Sequence, residues 1–357
     1  MLDDESSLRL KLLRFPPIIG VVYIHAYYTV INTNAGTFGT DKLNAVTEFI
    51  RVFISQGVAR IAVPLFFLIS GYLFFANFRW SQQTFVKKII TRARTLLVPF
   101  LFWNLVVLAF YALMQAIPPF RPYFTGSTAV ISGLSLFEFF NVILGIKGYP
   151  IAYHFWFIRD LMVLIVFSPL IAIILRFAAL PFLLVLYATW VTGFWPVLIP
   201  DNAGLLFFSA GALCAIKGQN LFAFDRYGRW AFWALIPIFL VDTLWQTAWF
   251  NIFWHRTGLI VGVIASLYIT KWALPHDTLK RTLLHLGEAS FFVYAAHEPL
   301  LLVVRILSYK CIPLTMPYTV LVIYLGLPVL VMTLLVYCHG KLSQRFPRFL
   351  SLVTGGR

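Results

Sequence analysis

Arg14 and His25 stand eleven residues apart in an apolar opening segment, RFPPIIGVVYIH. On one continuous helix, eleven steps of about 100° bring the two side chains to within roughly 20° of the same face, with about 16 Å of rise between them. Such a helix carries a cation near its mouth and an imidazole near mid-bilayer. With an ordinary pKa of about 6.5, an imidazole is suited to general-base work near neutral pH. Ionisable groups at membrane depth are costly, so His25 aligned with Arg14 is the first candidate for taking a proton from a hydroxyl, the plainer reading being a His satisfied by a neighbouring helix and an Arg that marks the membrane edge. Other polar groups interrupt apolar runs elsewhere: Ser70 in FFLISGYLFF, Arg159 and Asp160 in HFWFIRDL, Asp242, and His297 with Glu298 in SFFVYAAHEPLL. They are expected to converge on a polar substrate cavity rather than face lipid.

Each of these has a plainer reading as well. His297, followed by Glu298 and Pro299, serves either as a base or as a kink and interhelical contact. Ser70 beside Gly71 suits close helix packing better than nucleophilic attack, which needs a base within reach. Arg159 either pairs with Asp160 or orients an acidic or sugar substrate. Asp242 has no evident partner. In the run FVKKIITRARTLLVPF, Arg92 and Arg94 act as a topology signal or, through their planar guanidinium groups, as a phosphate grip. No phosphate-binding glycine loop, HExxH, GxSxG or paired-cysteine motif accompanies them. Cys214, Cys311 and Cys338 have no metal-ligand spacing, and no metal is expected.

The elements that must position these groups are membrane helices. The 357 residues are 61% hydrophobic and only 11% charged, with mean hydropathy +0.85. A soluble domain carries about 25% charged residues. The fold expected is all-α and polytopic, a single integral-membrane domain over 1–357 with about ten transmembrane helices, near 15–33, 57–77, 95–116, 156–177, 179–199, 203–217, 229–248, 254–274, 288–308 and 316–338. No barrel alternation and no cleavable leader is evident. A net charge of +15 would suggest nucleic acid in a soluble protein. Here most of the 28 Lys and Arg residues fall between apolar spans on one side, which selects cytoplasmic termini (tails 1–14 and 339–357) and argues against nucleic acid. The proline-bearing stretch 117–155 contains LSLFEFFNVILGI, too short to span, and is expected to form an interfacial or re-entrant helix. Trp80, Trp103, Trp156, Trp195 and Trp272 are expected as interfacial anchors.

Taken in order, VPLFFLISGYLFF from Val63, RARTLLVPFLFWN from Arg92, WFIRDL from Trp156 and SFFVYAAHEPL from Ser290, with the Arg14 to His25 spacing, resemble the bacterial membrane acyltransferase-3 family over almost the whole chain. The resemblance implies an O-acyltransferase of the cytoplasmic (inner) membrane. It would move an acyl group, most often acetyl from cytoplasmic acetyl-CoA, to a hydroxyl of a surface polysaccharide, oligosaccharide or lipid-linked precursor. His25 would be the essential histidine, Arg14 its partner, and Arg92 the basic residue at the donor entrance with Arg94 beside it. Acyl-CoA enters as a substrate, and no tightly bound cofactor is implied. Either His25 deprotonates the acceptor or it carries the acyl group itself. Pro16 and Pro17 depart from the family pattern, and no esterase-like domain is expected after the last span. Export of a polysaccharide or lipid-linked intermediate, and acylation of a membrane lipid, are the alternatives.

Overall fold

The computed structural model describes residues 3–76, 81–126 and 130–356. Among them lie fourteen α-helices: α1 (Asp4–Leu12), α2 (Pro16–His25), α3 (Ala45–Val52), α4 (Ala62–Phe75), α5 (Gln82–Ala116), α6 (Leu136–Leu144), α7 (Trp156–Val166), α8 (Ser168–Thr192), α9 (Asn202–Ile216), α10 (Asp225–Leu244), α11 (Asn251–Ala273), α12 (Asp277–Cys311), α13 (Thr319–Arg345) and α14 (Pro347–Thr354). One antiparallel hairpin, β1 (Val30–Thr33) with β2 (Gly36–Gly39), pairs Val30 with Gly39. The chain is thus a helical, multi-pass membrane protein. Among the described residues six helical stretches are long and apolar enough to cross a bilayer, one of them the run Ala45–Phe75 that includes α3 and α4, and a seventh crossing arises if α9 and α10, bent by 107°, make one broken span. About ten were expected. Several of the expected spans are shorter pieces, such as the eleven residues of α7.

The expected first span, 15–33, is corrected. Its helix is only the ten residues of α2, and Val30–Thr33 belong to the hairpin. Arg14 lies outside α2, because Pro16 and Pro17 begin that helix: proline lacks the N–H that would continue a helix from upstream and restricts the residue before it. The shared-face arithmetic for Arg14 and His25 therefore has no single helix to run along.

Two compact units make up the chain. The first comprises residues 1–24, 52–94 and 160–290. Within it α4 and α9 meet backbone to backbone at glycines. A Cβ on Gly71 would stand 2.0 Å from the Phe208 carbonyl oxygen, and one on Gly211 would stand 2.0 Å from that of Leu68. Helices in lipid gain from close backbone approach because apolar burial does little to drive them together. The N-terminal segment is anchored within this unit. Asp3 caps α1 by accepting from Ser6 N–H, which pulls its carboxyl below the usual value. Arg9, buried, grips Asp225 with both terminal nitrogens (2.7 and 2.8 Å). It also donates to Thr270 Oγ1 and the Leu267 carbonyl (2.8 Å each) and lies 3.9 Å above the Phe222 ring. A buried guanidinium is tolerated because nearly every donor is used.

The second unit comprises residues 25–51, 95–159 and 291–357. Ile31 of the hairpin packs with Ile306, Tyr309 and Ile323, tying β1 to α12 and α13. The stretch 117–155 contains the expected short helix as α6, opened by a reciprocal Ser135–Glu138 cap that holds the Glu138 carboxyl below its usual value. Leu136, Phe137 and Phe140 on α6 are exposed, as suits an interfacial helix. Toward the C-terminus α13 runs on to Arg345, and α14 packs on α5, where Trp103 Nε1 donates to the Val353 carbonyl (2.9 Å). Trp103 is therefore a buried tie rather than an interfacial anchor. Trp80 lies outside the described residues.

Candidate active site

α12 breaks one residue after His297. Glu298 has extended backbone angles (φ −108°, ψ 139°), since the residue before a proline avoids the helical region. Pro299 has no N–H, so the Ala295 carbonyl four residues back loses its helical partner. A side chain from elsewhere in the second unit takes that place: His154 Nε2 lies 3.3 Å from the Ala295 oxygen. His154 sits on a tight turn, Tyr153–Phe155, after α6. Two contacts hold the turn. Tyr294 of α12 donates its hydroxyl to the His154 carbonyl (2.6 Å), and buried Asn104 of α5 accepts from Ala152 N–H (3.1 Å) while donating to the Phe100 carbonyl (2.8 Å).

The result is a group of three imidazoles. The His25 ring centroid is 5.1 Å from that of His297 and 6.1 Å from that of His154, and the latter two are 4.7 Å apart. The Tyr153 ring meets His25 edge-on at 4.8 Å, and its hydroxyl donates to Glu298 Oε1 at 3.3 Å. His154, His297 and Glu298 are buried. Among the described residues no set of three His, Cys, Asp or Glu side chains has the arrangement of a metal site.

His25 itself is held from behind. Arg305, on the C-terminal half of α12, donates from Nη1 to the carbonyls of His25 (3.1 Å) and Tyr28 (3.0 Å). The His25 oxygen ends α2, where carbonyls lack helical partners and a cation is favourable, and Tyr28 follows three residues beyond. Arg305→Met is expected to lower the transfer rate at least ~10-fold by releasing the residue that carries the imidazole, while Arg305→Lys retains part of it. Steady-state rates on protein of equal melting temperature check this, and an unchanged rate for Arg305→Met would remove Arg305 from the support of His25.

Of the sequence candidates, the structure brings His25, His297 and Glu298 together. Arg159 is in the same unit, but its Nη1 donates to the carbonyls of Gly145 and Gly148, closing the turn after α6. Arg14, Ser70, Arg92, Arg94 and Asp160 belong to the first unit. Arg14 is exposed beside Gly287 of α12, and Ser70 is half-buried next to the Gly71 crossing. Asp160 accepts from Asp201 N–H (2.7 Å) at the start of α9. On α5, Arg92 is partly and Arg94 fully exposed, whereas Lys88 is committed to the end of α4 through the Phe74 and Ala76 carbonyls. Asp242, without a partner in the sequence reading, accepts from Asn251 (3.0 Å) and lies 2.9 Å from His255 Nδ1. His154, Tyr153 and Arg305 were missed. His154 was visible as an imidazole in the apolar run HFWFIRDL, where the adjoining charges drew the reading instead.

The chain is similar to the succinoglycan biosynthesis protein ExoH of Rhizobium meliloti (strain 1021), with 27% identity over 366 residues, covering 100% of this chain and 94% of that protein. No solved structure matches. The acyltransferase-3 family, described as an acyltransferase domain, matches residues 8–337. With that match spanning nearly the whole chain and including all three clustered histidines, the protein belongs to the acyltransferase-3 family and is an acyltransferase.

Proposed function

We propose that the enzyme is an O-acyltransferase that moves an acetyl group from cytoplasmic acetyl-CoA to a hydroxyl of a surface polysaccharide, oligosaccharide or lipid-linked precursor. It does so in the cytoplasmic membrane, with both termini inside. The observation that carries this reading is the three-imidazole group around His25, because hydroxyl acylation needs a base beside the reacting carbonyl. The carbohydrate acceptor rests on similarity to a protein of succinoglycan biosynthesis. Arg14 is assigned as the functional partner of His25, and the partly exposed Arg92 and exposed Arg94 to the donor, whose phosphates stay in water while the pantetheine arm reaches the thioester inward. Incubation of purified protein with radiolabelled acetyl-CoA and de-acetylated polysaccharide tests the reading. Label on the polysaccharide supports it, and label only on lipid replaces the acceptor.

The donor assignment has its own test. Arg92→Glu is expected to raise the acyl-CoA KM by roughly 10-fold or more and leave the acceptor KM unchanged, since a charge-assisted contact is worth about 1.5–3 kcal/mol. Arg92→Lys keeps charge without the planar fork and falls between. If Arg92 is only a topology signal, Lys87 and Arg94 suffice and neither KM moves.

A further inference from the structure

Two imidazole nitrogens beside His25 have no partner. His297 Nδ1 lies 2.7 Å from the Tyr294 carbonyl, and a carbonyl can only accept, so Nδ1 carries the proton and Nε2 presents a lone pair. By the same reasoning the Ala295 carbonyl assigns the proton of His154 to Nε2 and the lone pair to Nδ1. Both bare nitrogens, His297 Nε2 and His154 Nδ1, are buried without a hydrogen-bond partner. Buried polar atoms in folded proteins are seldom left so, and a pair in adjacent rings calls for a donor from outside the chain. In the resting structure neither nitrogen carries a proton, because no acceptor lies within hydrogen-bond reach of it. They are poised as acceptors.

We propose that His297 is a second base of the acyl transfer, taking the proton of the acceptor hydroxyl while His25 carries the acyl group. The proposal rests on the reading of His25 as the centre of transfer. An imidazole acylated on one nitrogen keeps a lone pair on the other, but the acyl group makes that nitrogen a far weaker base, so a two-step route gains from another base within reach. First, a ring nitrogen of His25 attacks the thioester carbonyl; the N–C bond forms, the C–S bond breaks, and the leaving thiolate takes the ring N–H proton of His25. Second, the acceptor oxygen attacks the acyl carbonyl as its proton passes to His297 Nε2; the C–N bond breaks, and His25 regains a proton from His297. Thioester and alcohol have become thiol and ester, and both histidines are neutral again. Of the two bare nitrogens, that of His297 is selected because its ring is nearer His25, 5.1 Å against 6.1 Å.

Acetyl-CoA alone is the probe, with water as the acceptor. Rapid mixing of the full-length wild-type protein is expected to release about one CoA thiol per enzyme in a burst, followed by slow turnover. His297→Asn keeps an amide donor for the Tyr294 carbonyl and lacks Nε2. It is expected to retain the burst, which also shows that it is folded, and to accumulate acetyl on the peptide bearing His25. Turnover of that adduct should be slower by 10²–10⁴-fold. Wild-type turnover in His297→Asn, loss of its burst in folded protein, or absence of a burst from the wild type each overturns the proposal. The underlying reading fails differently, through transfer to polysaccharide that survives in His25→Ala.

Discussion

Purified His25→Ala protein is expected to insert, fold and melt as the wild type does and to transfer no measurable acyl group. The side chain is half-buried, and the Arg305 bonds reach the backbone of residue 25, which alanine retains. Stability should therefore change little, while catalysis loses the imidazole at the centre of the group. General-base assistance contributes about 10²–10⁴-fold, and a group that also carries the acyl chain contributes more. His154 and His297 do not take over the acyl-carrying role, because the ring N–H each would have to shed is donated to a backbone carbonyl, which cannot take the proton. Acyl transfer assayed with equal amounts of monodisperse protein decides the matter. Activity within ~10-fold of wild type would take His25 out of the chemistry.

Gly211→Leu is expected to prevent stable folding. The added Cβ would stand 2.0 Å from the Leu68 carbonyl oxygen and 2.9 Å from Tyr72 N, both backbone atoms of α4. Ordinary overpacking costs about 1–3 kcal/mol because side chains yield. Here two helices must separate, which also undoes the reciprocal crossing at Gly71, so a cost above about 4 kcal/mol is expected. Gly326→Ala on α13 is the control: its Cβ meets nothing within 4 Å, and alanine in a helix interior is favoured over glycine by up to ~1 kcal/mol. Membrane abundance and thermal melting in detergent should fall sharply for the first variant and hold or rise for the second. A Gly211→Leu protein that melts like wild type would mean that α4 and α9 are not in backbone contact.

The membrane class, the helical fold and two of the three imidazoles were legible in the sequence, because each depends on local composition. Low charge and long apolar runs dictate helices that satisfy their own backbone in lipid, and an isolated histidine in such a run stands out whatever surrounds it. The Gly71 packing reading could be made for the same reason, small residues being the means of close approach. What periodicity could not carry is whether a helix continues. Pro16 and Pro17 end the geometry that would have aligned Arg14 with His25, and Pro299 breaks α12 at the place where a kink was one of the readings. That break frees the Ala295 carbonyl, and its new partner, His154, lies 141 residues away in the chain; Arg305 reaches His25 across 280. Local sequence determined which groups were too costly to leave in hydrocarbon without a purpose. Only the tertiary structure decided which of them meet, because their hydrogen bonds are completed by elements that sequence spacing does not relate.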